Sequence, residues 1–156
     1  MGNIFNEDFQ DFICAFNDND VEYLLVGGYF VILYGHVRTT GDMDIWVNRT
    51  KKNYQKIEAA FKQFGLPIFD MTESNFLNHP SWDVFRFGRV PVAIDIMIKV
   101  KGMDFNSCYL ASTIHAIDNL TIRVIGYQDL LTAKRASSRN KDIGDIEALE
   151  NDSTDK

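Results

Sequence analysis

Cysteine and histidine are scarce in this chain, and an excess of basic charge is missing altogether. The two cysteines, Cys14 and Cys108, lie far apart in Phe-Ile-Cys-Ala and Ser-Cys-Tyr-Leu surroundings. Such settings predict buried free thiols rather than a disulfide framework. His36, His79 and His115 stand alone, and without a Cys or His cluster at ligand spacing zinc has no support. A net charge of −6 argues against broad affinity for nucleic acid, which depends on many Lys and Arg contacts to phosphate, although one small basic site stays compatible with it. No apolar run reaches the length of a membrane span, and the start MGNIFNEDF lacks the basic beginning and long apolar core of a secretory signal. The expectation is a cytoplasmic protein.

What is present is ordinary globular material. The 156 residues are 46% hydrophobic and 24% charged, enough for one domain to bury a core without disulfides or metals. Residues 6 to 17 read as an amphipathic helix, with Phe9, Phe12, Ile13 and Phe16 on one stripe after a candidate cap at Asn6. A short strand, Tyr23 to Val26, runs into Gly27-Gly28, and the apolar stretch 29 to 34 would be a buried helix ended by Gly35. Asp42 to Val47 is a strand. Thr50 caps a second helix whose stripe is Tyr54, Ile57, Phe61 and Phe64, stopped by Gly65-Leu-Pro. Residues 70 to 81 read as a loop with a helical turn. Trp82 to Phe87 and Val92 to Val100 form a hairpin across Gly-Arg-Val-Pro, followed by short strands at 114 to 117 and 121 to 125 and helices at 126 to 138 and 141 to 149. The whole is one α+β domain, residues 1 to 150, with a mixed sheet flanked by helices and a polar tail at 151 to 156. There is no repeat, linker or low-complexity segment.

The acids carry the chemistry. Side chains alternate across a strand, so Met43, Ile45 and Val47 face the core while Asp42, Asp44 and Trp46 share the other side. The two carboxylates then stand on Cα atoms roughly 6 to 7 Å apart, where they repel unless a cation lies between them or water screens them. In the strand from Val92 to Ile98, one face is Val92, Ile94, Ile96 and Ile98, and the other carries Ala93, Asp95 and Met97. A carboxylate in so apolar a strand needs a cation, a hydrogen-bond network or a proton, and an ion pair with Arg86 or Arg89 would also serve. If this strand neighbours the one holding Asp42 and Asp44, three acids converge. Hard oxygen ligands without Cys or His point to Mg²⁺ or Mn²⁺.

Gly27 and Gly28 sit where a strand would give way to a helix, and without Cβ atoms their amides can approach a phosphate closely. No Gly-Lys-Ser/Thr follows, so this is not a P-loop. Lys134 continues the stripe Tyr127, Leu130, Leu131; it either snorkels to solvent or reaches a bound phosphate. Arg38, just before Asp42, is a second candidate cation.

These residues resemble the nucleotidyltransferase superfamily of the DNA polymerase β type, and most nearly its small bacterial branch related to the AbiEii toxins. Gly27-Gly28, Asp42 with Asp44, and Asp95 occupy the places of that family's glycine turn, Asp-x-Asp strand and third Asp. Arg38-Thr-Thr-Gly-Asp-Met-Asp-Ile45 is similar to its Arg-x-Thr-x-Asp-x-Asp run. The segment Ala133-Lys-Arg-Ala-Ser-Ser-Arg-Asn-Lys-Asp-Ile-Gly-Asp-Ile-Glu-Ala-Leu149 resembles the branch's closing signature. One departure is that bulky Tyr29 and Phe30 follow the glycines where many members carry small or polar residues. The resemblance implies a nucleotidyltransferase-like fold and transfer of a nucleoside monophosphate from an NTP to an RNA, protein or small-molecule acceptor. It implies metal ligation by Asp42, Asp44 and Asp95, and triphosphate binding by Gly27, Gly28, Arg38 and Lys134. A catalytically silent nucleotide-binding or toxin–antitoxin-type module with a protein partner is the competing expectation.

Overall fold

The computed structural model describes residues 7–28, 42–89, 92–117 and 120–137. Helix α1 (Glu7–Asp18) leads into strands β1 (Tyr23–Gly28) and β2 (Asp42–Val47), then helices α2 (Lys51–Phe64) and α3 (Glu73–Asn78). Strands β3 (Val84–Arg89) and β4 (Val92–Met97) follow, then helix α4 (Phe105–Leu110), strands β5 (Thr113–Ile117) and β6 (Leu120–Val124), and helix α5 (Tyr127–Ser137). The helices expected at 29 to 34 and 141 to 149, the cap at Asn6 and the tail lie outside the described residues. The six strands make one mixed sheet in the order β3-β4-β2-β1-β6-β5. The pairs β2–β4 and β1–β6 are parallel, and β1–β2, β3–β4 and β5–β6 are antiparallel. This is a mixed α+β architecture. Among the described residues no helix is long and apolar enough to cross a membrane.

Local chemistry sets the best-defined helix. Thr50 has extended backbone and its hydroxyl accepts the Asn53 N–H at 3.1 Å, satisfying a donor that the first turn leaves open. Gly65 ends α2 in the left-handed region, with φ at 91°, and its N–H reaches the Phe61 carbonyl at 2.8 Å. The stripe between them packs on α1, with Phe61 and Phe64 edge-on to Phe12 at 5.5 and 5.4 Å. Phe61 also meets Phe87 of β3 at 4.8 Å, which fixes the sheet face that these two helices cover.

One buried polar residue ties this layer to the sheet. Asn53, 1% exposed, accepts from the Glu22 N–H at 2.8 Å and donates to the Glu22 and Asn48 carbonyls at 3.1 and 2.9 Å. Asn53→Ala would strand the Glu22 N–H and take one donor from each carbonyl, which keep the Asn48 and Thr50 N–H groups at 3.2 and 3.1 Å, so a loss of about 1 to 3 kcal/mol is expected. A thermal melt of the variant checks this. No change from wild type would mean that water replaces the amide without cost.

Several local expectations need correcting. Cys14 is exposed, because position 14 falls on the outward side of α1 between buried Ile13 and Ala15. Cys108 is buried as expected; burial, helped by the Asp129 carboxylate, pushes its thiol up to about 11. The segment 70 to 81 contains the short helix α3, capped by Thr72, whose hydroxyl accepts from Asn75 N. Its far end is held from outside, as Arg49 donates to the carbonyls of Phe76 and His79 at 2.7 and 3.3 Å. Helix α4 has no counterpart in the sequence expectations; Asp104 caps it by accepting from Ser107 N at 2.9 Å.

Candidate functional site

Strand β2 lies between β4 and β1, and its register places the acids. Along the parallel pair, Asp42 is level with Ala93, Asp44 with Asp95, and Trp46 with Met97. On the other side of β4, Arg86 of β3 is level with Asp95. On the other side of β2, the register slips between Leu25 and Gly27, so that Gly27 faces Asp44 and Gly28 faces Met43. One row therefore crosses four strands in the order Arg86, Asp95, Asp44, Gly27. With neighbouring strands about 4.8 Å apart, Asp44 and Asp95 stand side by side on one face.

That face changes character along β2. Trp46 is buried, and Phe105 of α4 stands edge-on to it at 5.3 Å. Two residues nearer the start of the strand, Asp44 is half-buried. The reverse face, through Met43, Ile45, Val47, Ile94 and Ile96, is wholly buried in the core. The apolar alternation thus pins the acids to the side that α4 seals at the Trp46 end.

Asp95 has an explicit partner. Arg86 Nε donates to its Oδ1 at 2.9 Å and Nη2 to its Oδ2 at 3.0 Å, a fork that engages both carboxylate oxygens. The Asp95 side chain is 14% exposed and that of Arg86 49%. The ion pair considered from the sequence is therefore formed with Arg86, and the arginine is half-exposed because β3 is an edge strand. This is how an apolar strand carries a carboxylate without stranding its charge.

The remaining nominated residues are placed less completely. Asp42 opens β2, and Lys134 lies in α5 near buried Leu130, Leu131 and Ala133; only their backbones are described. Arg38 lies outside the described residues, in the segment between β1 and β2. Gly27 and Gly28 correct an expectation: they are the last two residues of β1, paired with β2, because the slipped register lets the strand continue past Val26. Among the described residues no group of three or more His, Cys, Asp or Glu is arranged to hold a metal ion. The donor chemistry still suits a hard divalent cation, with Asp44 and Asp95 both supplying oxygen. Any such cation must share the Asp95 oxygens with Arg86.

Two shallow hollows flank the sheet. One, of about 240 Å³, lies beside Arg86 and includes Phe69, Trp82 and Val84. Trp82 stacks on His79 at 4.1 Å, and His79 Nδ1 accepts from the Ser81 and Trp82 amides, a structural role. The other, of about 290 Å³, is bounded by Asn17, Tyr23, Tyr109 and Arg123. There the Arg123 guanidinium lies 4.5 Å over the Tyr109 ring and donates to Ser112 Oγ. Burial pushes the Tyr23 phenol up to about 12, and its hydroxyl donates to Asn17. No nominated residue lines this second hollow.

No protein-family model matches the chain, and no curated protein matches it in sequence.

Proposed function

We propose that this chain is a metal-dependent nucleotidyltransferase of the polymerase β type, akin to the AbiEii-related branch, which moves a nucleoside monophosphate from an NTP to an acceptor hydroxyl and releases pyrophosphate. The observation that carries the reading is the register of β2 on β4, which sets Asp95 beside Asp44 in the neighbouring strand. Sequence alone left open whether those strands are neighbours. Asp42, Asp44 and Asp95 are the residues that would hold Mg²⁺ or Mn²⁺. Bound there, the cations would offset triphosphate charge and stabilise the attacking and leaving oxygens. Asp95 is the acid assigned to receive the acceptor's proton. Gly27, opposite Asp44, adds no side chain to its end of the row, and Gly27 and Gly28 are the glycines assigned to the triphosphate. Lys134 and Arg38 are the cations assigned to the triphosphate.

A second reading keeps the fold and nucleotide binding without turnover, as an interaction module of toxin–antitoxin type. The Arg86 fork on Asp95 favours it, since both oxygens of the third acid are engaged. Labelled ATP, GTP, CTP and UTP, incubated with the purified chain, Mg²⁺ and a cell extract as acceptor source, separate the two. Transfer of label to a macromolecule or small product, lost in Asp44→Asn, is the expected result. Nucleotide binding without transfer supports the module, and no binding at millimolar nucleotide removes both.

A further inference from the structure

We propose that Arg86 is an exchangeable counter-ion: it neutralises Asp95 while no cation is bound, and on entry of a divalent cation it releases the carboxylate and turns its guanidinium to the phosphates of the incoming nucleotide. This rests on the nucleotidyl-transfer reading and assigns to it a residue outside the nominated set.

The argument begins with Asp95. Its side chain is largely withdrawn from water on a strand whose other face is core, so its charge requires compensation at every stage. Both oxygens lie 2.9 to 3.0 Å from Arg86 nitrogens, so a cation that takes either oxygen must displace one arm of the fork or sit on the remaining lone pair directly beside the guanidinium. Two positive groups cannot share one carboxylate at such distances without repelling each other. The side chain that can leave is Arg86, because it is half-exposed on the edge strand β3. Asp95, by contrast, is fixed in β4 between β3 and β2. Once released, a guanidinium presents five N–H donors in a plane that matches phosphate oxygens as well as it matched the carboxylate. A displaced Arg86 therefore exchanges one doubly accepting anion for another within the same row.

The exchange makes opposite demands on two ligands. Metal alone must displace Arg86 and gains nothing from it afterwards, so removing the arginine should strengthen metal binding. Metal with nucleotide recovers the arginine on phosphate, so removing it should weaken nucleotide binding. A static ion pair would act on the two ligands through its charge alone, which Arg86→Lys keeps, so Arg86→Lys would then match wild type in both affinities.

The test measures free Mn²⁺ by electron paramagnetic resonance, and Mg²⁺-ATP and Mg²⁺-GTP affinity by calorimetry, for wild type, Arg86→Met, Arg86→Lys and Asp44→Asn. Arg86→Met is expected to bind Mn²⁺ about tenfold more tightly than wild type without nucleotide, and to bind Mg²⁺-NTP several-fold more weakly. Arg86→Lys keeps the charge but loses the fork, so it should fall between the two, and it decides the matter if Arg86→Met does not fold. Mn²⁺ affinity unchanged or lowered in the Arg86 variants, with Asp44→Asn weakening it, would overturn the exchange and leave the metal site standing. Tighter Mn²⁺ with unaltered nucleotide affinity would overturn the transfer of Arg86 to phosphate. Absence of Mn²⁺ binding in every protein would remove the nucleotidyl-transfer reading and the exchange with it.

Discussion

Asp44→Asn is expected to melt at or above the wild-type temperature without ligand, and to lose the rise that Mg²⁺ and the preferred NTP give the wild type. Asp44 stands level with Asp95 across the β2–β4 pair, so removing its charge relieves repulsion between neighbouring carboxylates. A ligand that binds only the folded state stabilises it by about 2.7 kcal/mol at a hundred times its dissociation constant. At roughly 2 to 4 °C per kcal/mol for a domain of this length, the wild type should rise by about 5 to 10 °C. Differential scanning fluorimetry with and without Mg²⁺ and each NTP reads both effects. A variant that melts well below wild type alone and still responds to nucleotide would show that Asp44 is a structural residue and that nucleotide binds elsewhere.

Phe61→Ala should cause the largest loss of stability. The ring is buried where three elements meet, 5.5 Å from Phe12 and 6.3 Å from Phe16 of α1, and 4.8 Å from Phe87 of β3. Truncating a buried phenylalanine costs about 3 to 5 kcal/mol through lost transfer energy and the cavity left behind. The midpoint should therefore fall by roughly 6 to 20 °C. Phe61→Leu, which keeps most of the volume, should fall much less. The site row lies on the opposite face of the sheet, so the rise on adding Mg²⁺-NTP should persist in whatever fraction remains folded. A midpoint unchanged by Phe61→Ala would contradict the packing of α2 on β3.

Features governed by neighbouring residues were the legible ones. Thr50 and Gly65 announce the two ends of α2 because capping is a contact within three or four positions. The alternation in β2 and β4 assigns faces because it depends only on the pleat, and the buried Met43, Ile45, Ile94 and Ile96 agree with it. Helix α3 was half-legible, since Thr72 is a local signal while Arg49, which holds its far end, comes from 27 positions away in sequence at Phe76. The short α4 rests on one Asp104 cap and on Phe105 packing against Trp46, and six residues give no period to read. Register was the least legible quantity. That Arg86 meets Asp95 depends on β3 running on through Arg89, whereas Gly-Arg-Val-Pro suggested an earlier turn. The slip that sets Gly27 against Asp44 leaves no trace in composition at all.

The strand order also bears on when in the life of the chain the acidic row can exist. The hairpin of β3 and β4 closes locally, but β4 joins β2 in parallel only after α2, α3 and β3 have intervened. At the far side of the sheet β6 returns to β1, and Asn17 donates to the Thr121 carbonyl 104 positions away. Pairings of such long sequence separation are made slowly, because chain entropy is lost before any contact rewards it. A nascent chain that has not yet delivered β4 from the ribosome carries Asp44 without Asp95. On the proposed nucleotidyl-transfer reading, competence to hold nucleotide would arrive with the completion of the domain rather than with its first folded half.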